Sequence, residues 1–406
     1  MPYYSITTAV GEKKVGNSYN HPLIHDLLRG EIGYDGVLCT DWDVTRDPDS
    51  NEIDSFPPKC HGMELVSRAE RLFTLIDNGI DQIGGDESTQ PLKDGFRLYK
   101  ERYGEEAALE RMRASAVRSL TNIFRLGLFE DPYLDPEESA RFVGNDEFRA
   151  EGLKAQCDSI VLLKNTGLLP LKKGIRIYVP DREIKKIKGF MRDFYPARTM
   201  VPIREEECGD YFTLVSDPKD ADVFLVWMES PLSDGGYTKE EREKTGNGYI
   251  PISLQYRPYT ATASRAVSLY GGDFREEGTN RSYLGKTSVC PNECDLDNIL
   301  NLKKDYPDTP VLACMEVHNA PVPAEFEGSC DAFVAHFGVE KRALFRVLFG
   351  EHAPQGRLPF SFPKDMDTIE RHLDDVFDDY EHYVDTQGNE YAYGFGLTYP
   401  DFKEEK

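Results

Sequence analysis

Gly36-Val37-Leu38-Cys39-Thr40-Asp41-Trp42 is the stretch on which the reading of this chain turns. Its four-residue apolar run suits a short buried strand. It follows Pro22-Leu23-Ile24-His25-Asp26-Leu27-Leu28-Arg29-Gly30, whose apolar spacing is helical. Helix, turn and buried strand in succession make the repeating unit of a parallel barrel. Barrel enzymes carry their reacting groups at the C-terminal ends of such strands. Asp41 falls at that end, with the indole of Trp42 beside it, so a carboxylate meets a flat apolar face. An aspartate at a strand exit also serves simply to cap the next loop. The dipeptide alone leaves both readings open.

Outward from this point, residues 46–62 form a polar loop containing prolines, of the kind that shapes a pocket after a barrel strand. Met63 to Asn78 reads as a helix with Leu65, Ala69, Leu72 and Leu75 on one face. Gly79 to Asp86 reads as a last short strand and a turn. Gly84-Gly85 lacks the lysine and helix start of a phosphate loop. Glu105 to Arg125 is a second helix, striped by Leu109, Met112, Ala116, Leu120 and Ile123. Asp131-Pro132-Tyr133-Leu134-Asp135-Pro136 then has the turn chemistry of a linker. A helix over about Asp146–Cys157 leads to apolar runs at Ser159–Lys164, Ile175–Val179, Val223–Met228, Val311–Val317 and Asp331–Phe337. Helical patterns at Ile184–Phe194 and Lys341–Phe349 separate some of them. Strands alternating with helices predict a mostly parallel sheet covered on both faces. The expected domains are residues 1–130, a linker and helix over 131–158, and an α/β sandwich over 159–406.

The chain has 406 residues, enough for two or three domains, and a formal charge of −24. That charge argues against nucleic acid or an anionic membrane as a partner and suits neutral substrates. No window approaches the roughly 20 apolar residues of a membrane span. No basic segment followed by an apolar run opens the chain, so no signal peptide is visible in it. Eight cysteines are scattered. Cys290 and Cys294 are spaced as a disulfide or half a metal site would be, but no second pair lies at zinc spacing. No metal site is expected.

Five stretches resemble words of glycoside hydrolase family 3, in that family's order. They are Gly16–Val44 (GNSYNHPLIHDLLRGEIGYDGVLCTDWDV), Phe124–Asp135 (FRLGLFEDPYLD), Ser159–Leu171 (SIVLLKNTGLLPL), Phe349–Pro363 (FGEHAPQGRLPFSFP) and Tyr393–Tyr399 (YGFGLTY). The resemblance implies the C-terminal part of a (β/α) barrel, beginning late in the barrel near Tyr3–Ser5, followed by the mostly parallel α/β sandwich. It implies a retaining, exo-acting β-glycosidase, β-glucosidase-like, cleaving terminal β-linked sugars without metal or cofactor. Its members are often periplasmic or secreted. Most of the barrel would lie upstream, so an N-terminal barrel half is the implied missing partner. The alternative is a catalytically silent fragment or a sugar-binding module.

The same resemblance assigns Asp41 as nucleophile. Tyr4 is its candidate hydrogen-bond donor and Trp42 a wall of the sugar site. The second carboxyl such chemistry requires comes from the sandwich. Glu277-Gly278-Thr279-Asn280-Arg281 is closest to one branch's acid/base word, with Asn280 where an aspartate stands there. Glu277 is thus the expected acid/base and Arg281 a substrate- or loop-binding group. Glu276 and Glu229 are its rivals, the latter at the end of the Val223–Met228 run.

Overall fold

A computed structural model describes residues 1–7, 10–11, 13–47, 59–189, 192–233, 236–263, 282–373 and 376–400. The chain divides into two compact units, the break falling after Arg141.

The first unit is built from a ten-residue helix, Pro22–Glu31, and three later ones, Arg68–Asp77, Thr89–Tyr103 and Glu105–Arg125. The first is wound wider than an α-helix: the Ile32 amide closes it on Leu27 O, five residues back. The Arg68–Asp77 helix is shorter than its apolar spacing predicts. Ser67 and Glu70 form a reciprocal capping box that fixes its start, leaving Leu65 outside the helix and exposed. The Thr89–Tyr103 helix lies close against it. A Cβ on Gly95 would stand 2.9 Å from Leu72 Cβ.

The strands expected at Gly36–Cys39 and within Gly79–Asp86 are reduced to one parallel bridge, Cys39 to Gln82. The Thr40 amide donates to Gln82 O at 3.0 Å and the Gln82 amide to Leu38 O at 3.0 Å; on the other side the Asp41 amide reaches Pro2 O at 3.2 Å. The three segments lie side by side. Each pairing carries too few bonds to make a ladder, which needs a run of residues held on both edges.

Asp81 ties this unit together. Its buried carboxylate takes Arg29 Nη2 at 2.6 Å, Arg118 Nη1 at 3.2 Å, Ser115 Oγ at 2.7 Å and the Leu38 amide at 3.0 Å. Burial pushes its pKa up, but these donors outweigh it and the net shift is downward. Two helices and a strand-like segment thus meet on one charge.

The second unit is a six-stranded sheet in the order Val161–Asn165, Ala332–His336, Val311–Glu316, Val223–Glu229, Ile175–Tyr178, Phe212–Val215. Five strands are parallel, and Val161–Asn165 runs antiparallel at one edge. Successive residues face opposite cores. Leu225, Trp227, Leu312, Cys314 and Val334 join one cluster with Ala343, Leu344 and Val347 of the helix Lys341–Leu348. Phe224, Val226, Met228, Val311, Ala313, Met315 and Phe333 join the other with Leu296, Ile299 and Leu302 of the helix Cys294–Asp305. Burial on both faces explains why these strands read as unbroken apolar runs.

The helix expected at Ile184–Phe194 is absent. The segment holds the strands Arg182–Ile184, Ile187–Gly189 and Arg192–Tyr195, the first paired with Arg198–Met200. Gly189 costs a helix interior about 1 kcal/mol. Its isoleucine and aromatic neighbours favour extended backbone. Cys290 and Cys294 are both free thiols and form no disulfide.

Candidate active site

Asp41 is nine-tenths buried, and its Oδ1 accepts the Trp42 amide at 2.7 Å. The turn that carries it is held from three sides. Thr40 Oγ1 accepts the Gly84 amide at 2.8 Å, and the Asp43 amide donates to Gly84 O at 3.3 Å. Tyr19, buried, donates its hydroxyl to Val44 O at 2.6 Å. Thr45 donates to Asp86, which is ion-paired to Arg68 at 2.7 Å. Burial raises the Asp86 pKa, but Thr45 and Arg68 prevail and bring it down to about 2.

The Gly84-Gly85 pair proves to be a packing requirement. A Cβ on Gly84 would lie 2.4 Å from Thr40 O, and one on Gly85 2.5 Å from Trp42 Cδ1. Gly85 also has φ +65°, a conformation side chains rarely adopt. Trp42 therefore lies against bare backbone and keeps over half of its surface exposed. Tyr4 stacks on Tyr3, ring centroids 4.0 Å apart, and accepts its hydroxyl at 2.6 Å. Glu276, Glu277 and Arg281 lie outside the described residues.

Glu229 ends the Val223–Glu229 strand in the second unit. Its Oε1 accepts Arg182 Nη1 at 2.7 Å, and its Oε2 lies 3.4 Å from His318 Nε2. Arg182 is buried and forks onto Asp295, with bonds of 2.7 and 2.8 Å. Asn292 and the Glu229 amide complete the shell of Asp295. Burial works to raise the Glu229 pKa, yet His318 and Arg182 together lower it to about 2. The hydrogen bond with Glu229 raises the His318 pKa.

No sequence pattern announced Arg182, Asp295 or His318. They meet Glu229 from 47, 66 and 89 positions away (229 − 182, 295 − 229, 318 − 229), and none falls in a family word.

His336 ends the strand Ala332–His336, separated from the Glu229 strand by Val311–Glu316; it is fully buried, with neither ring nitrogen hydrogen-bonded, its ring 5.3 Å from that of Trp227. Burial lowers its pKa from 6.5 to about 4. A histidine depressed in the fold contributes stability that is complete above its unfolded pKa and is lost as pH falls through the folded value. The window is about pH 6.5 to 4, and the shift corresponds to roughly 3 kcal/mol. Urea unfolding between pH 7 and pH 4.5 is expected to show this loss, and His336→Phe to flatten it. An unchanged slope in the variant would contradict the assignment.

Among the described residues, one group of side chains comes close enough to share a metal ion: His21, His25 and Asp26, all exposed. His25 Nδ1 and Asp26 Oδ1 are 2.8 Å apart, and the two rings stack at 4.4 Å. They lie on the Pro22–Glu31 helix and its cap.

Residues 160–399 match the model of the glycosyl hydrolase family 3 C-terminal domain. The chain belongs to glycoside hydrolase family 3. It is 28% identical to β-glucosidase C of Emericella nidulans over 99% of its own length and 53% of that protein's. It is 24% identical to a periplasmic β-glucosidase/β-xylosidase of Dickeya chrysanthemi, over 93% and 49%. The fold is that of the β-glucosidase of Listeria innocua, at TM-score 0.58 and 21% identity, covering 95% of this family 3 chain and 50% of that one. That enzyme has been solved with glucose, and a mutant of it with laminaribiose. An exo-1,3/1,4-β-glucanase of Pseudoalteromonas gives TM-score 0.56 over 96% and 56%. This family 3 chain thus spans about half the length of the curated relatives it matches.

Proposed function

We propose that this chain is the C-terminal part of a retaining, exo-acting β-glycosidase that removes terminal β-linked sugars by double displacement. Residues 1–130 are the later part of its catalytic barrel, 131–158 a linker and helix, and 159–406 the sandwich. The observation that carries the reading is Asp41: a buried carboxylate at a strand-like exit, on a turn pinned from three sides, beside an exposed indole. Such a group is fixed for attack at an anomeric carbon.

The rest of the barrel is supplied by a further polypeptide segment. Support comes from the relatives, which are about twice as long. It also comes from Glu105–Arg125, whose Leu109, Met112, Val117, Leu120 and Phe124 are exposed. Exposed apolar stripes of this size are contact surfaces.

Glu277 is the acid/base, with Glu276 its immediate rival. The state of Glu229 favours this choice. A general acid must hold a proton at working pH, and a carboxyl drawn down to about 2 by Arg182 and His318 does not.

The test uses a polypeptide that includes the upstream barrel. Glu277→Ala should lose activity on substrates with poor leaving groups and keep far more on activated aryl glycosides. Azide should restore turnover and yield a glycosyl azide. The same pattern in Glu229→Ala would transfer the role to Glu229. Absence of turnover in the unmodified polypeptide would favour a sugar-binding module.

A further inference from the structure

His21, His25 and Asp26, the described side chains close enough to share a metal ion, lie on the Pro22–Glu31 helix and its cap. The winding of that helix decides that they meet. In an α-helix of 3.6 residues per turn, positions five apart stand about 140° apart around the axis. His21 and Asp26 would then face different ways. A helix closed from i to i+5 turns through less angle per residue, so positions four and five beyond a residue share its face. His21 already has helical backbone at the cap, with φ −57° and ψ −49°. His25 and Asp26 are therefore both its neighbours along one stripe. Segments wound this way are rare and recur at functional sites.

The backbone beneath the stripe is held in place. Asn20, buried, accepts the Leu23 amide at 3.1 Å and donates to Val10 O at 2.7 Å. Ile24 is buried in the core of this unit. Further along, Arg29 reaches Tyr34 O, Gly36 O and Asp81. The inner face is thus anchored. The side chains of His21, His25 and Asp26 are 46%, 55% and 59% exposed, so an ion in solution reaches them.

The spacing suits one small cation. Asp26 Oδ1 lies 3.7 Å from His21 Nδ1 and 2.8 Å from His25 Nδ1, and the two rings stack with centroids 4.4 Å apart. Donors about 2.0 Å from a tetrahedral ion stand about 3.3 Å from each other, a value these two separations bracket. The hydrogen bond with His25 holds the Asp26 carboxyl below its ordinary pKa, so it is a charged ligand at neutral pH.

The donor set selects the ion. Two imidazoles and one carboxylate suit Zn²⁺, Ni²⁺ or Cu²⁺. Calcium and magnesium take shells of oxygen. The positive end of the helix opposes a cation. The Asp26 carboxylate and the chain's formal charge of −24 act against that opposition. Three protein ligands leave a coordination position to water.

We propose that His21, His25 and Asp26 form a surface site for a divalent transition-metal ion of the zinc class, which clasps the first turn of the Pro22–Glu31 helix. The ion displaces the proton shared between His25 and Asp26 and joins His21 to them. The proposal does not rest on the glycosidase reading.

The 406-residue chain is titrated with zinc chloride, following the histidine ring resonances by NMR, a readout that zinc bound at the free cysteines does not supply. The two signals are assigned by their loss in His21→Ala and His25→Ala. Both should shift along one saturation curve, with a dissociation constant on the order of 10 μM. Asp26→Asn should weaken binding about tenfold or more. Magnesium chloride at the same concentration should move neither signal. Zinc should also raise the urea midpoint of the first unit in the parent and not in His21→Ala, whose zinc-free midpoint stays at the parent value because the side chain is exposed. A dissociation constant weaker than about 1 mM, two signals that titrate independently, or unchanged binding in Asp26→Asn would overturn the proposal.

Discussion

Lys164→Met is expected to destabilise the sandwich unit by about 3–5 kcal/mol, the cost of leaving a buried charge without its partner. Lys164 sits in the edge strand Val161–Asn165, almost wholly buried. Its Nζ lies 2.5 Å from Glu327 Oε1, and it also donates to Glu327 O at 3.0 Å and Thr386 Oγ1 at 2.8 Å. Glu327, fully buried, further accepts the Tyr383 hydroxyl at 2.8 Å and the Thr386 amide at 3.2 Å. One pair of charges therefore fastens the edge strand, the turn before Ala332–His336 and the C-terminal segment near Thr386. Methionine fills the space but offers no donor, and the carboxylate stays behind. Urea unfolding of the chain should show the loss in the transition of this unit. Lys164→Met/Glu327→Met together should recover much of it, because removing both charges also removes the desolvation penalty. A single-variant loss below about 1 kcal/mol would mean that the pair is solvated and fastens nothing.

The sandwich was legible because its strands are buried on both faces. Val223–Glu229 and Val311–Glu316 read as continuous apolar runs, and each was found within one or two residues of the expected bounds. The Glu105–Arg125 helix was found at its expected ends, since glycine precedes it and the stripe marks its length. Ile184–Phe194 misled because its lysines and isoleucines fall at spacings that also suit a helix. Pairing of Arg182–Ile184 with Arg198–Met200, a contact between distant residues, decided it. In the first unit, Gly36–Cys39 carried the composition of a strand without the neighbours that make one.

The candidate site divides the same way. Asp41 and Trp42 stood out because they are adjacent in sequence and lie in a family word. Gly84-Gly85 read as a turn, but its purpose, making room for Thr40 and Trp42, depends on two segments over 40 residues apart (84 − 40 = 44). The Arg182–Asp295–Glu229–His318 group is invisible to any local pattern, because its residues come from segments far apart in the sequence: a short strand, a helix, a sheet strand and a loop.

The second large effect concerns Asp41. In a polypeptide that joins this chain to its upstream barrel, Asp41→Ala is expected to lower kcat on an aryl β-glucoside by at least about 10³-fold, because covalent attack has no substitute in the site. The carboxylate is not a folding anchor: among the described residues its hydrogen bond is to the neighbouring Trp42 amide. The urea midpoint of Asp41→Ala should therefore stay close to that of the parent. The contrast with Asp81 is instructive, since that carboxylate holds Arg29, Arg118 and Ser115 and its loss would unfold the unit that presents Asp41. Asp41→Gly should regain activity with added azide, which replaces the lost nucleophile and yields a glycosyl azide of inverted configuration.

The central claim is that Asp41 forms the covalent bond to the sugar. It is tested most directly by inactivating that polypeptide with a 2-deoxy-2-fluoroglucoside, which slows release of the glycosyl-enzyme, and mapping the adduct by peptide mass spectrometry. The account predicts one fluoroglucosyl group, on Asp41, in the peptide containing Thr40-Asp41-Trp42. An adduct on any other residue, with Asp41 unmodified in the inactivated protein, would contradict it.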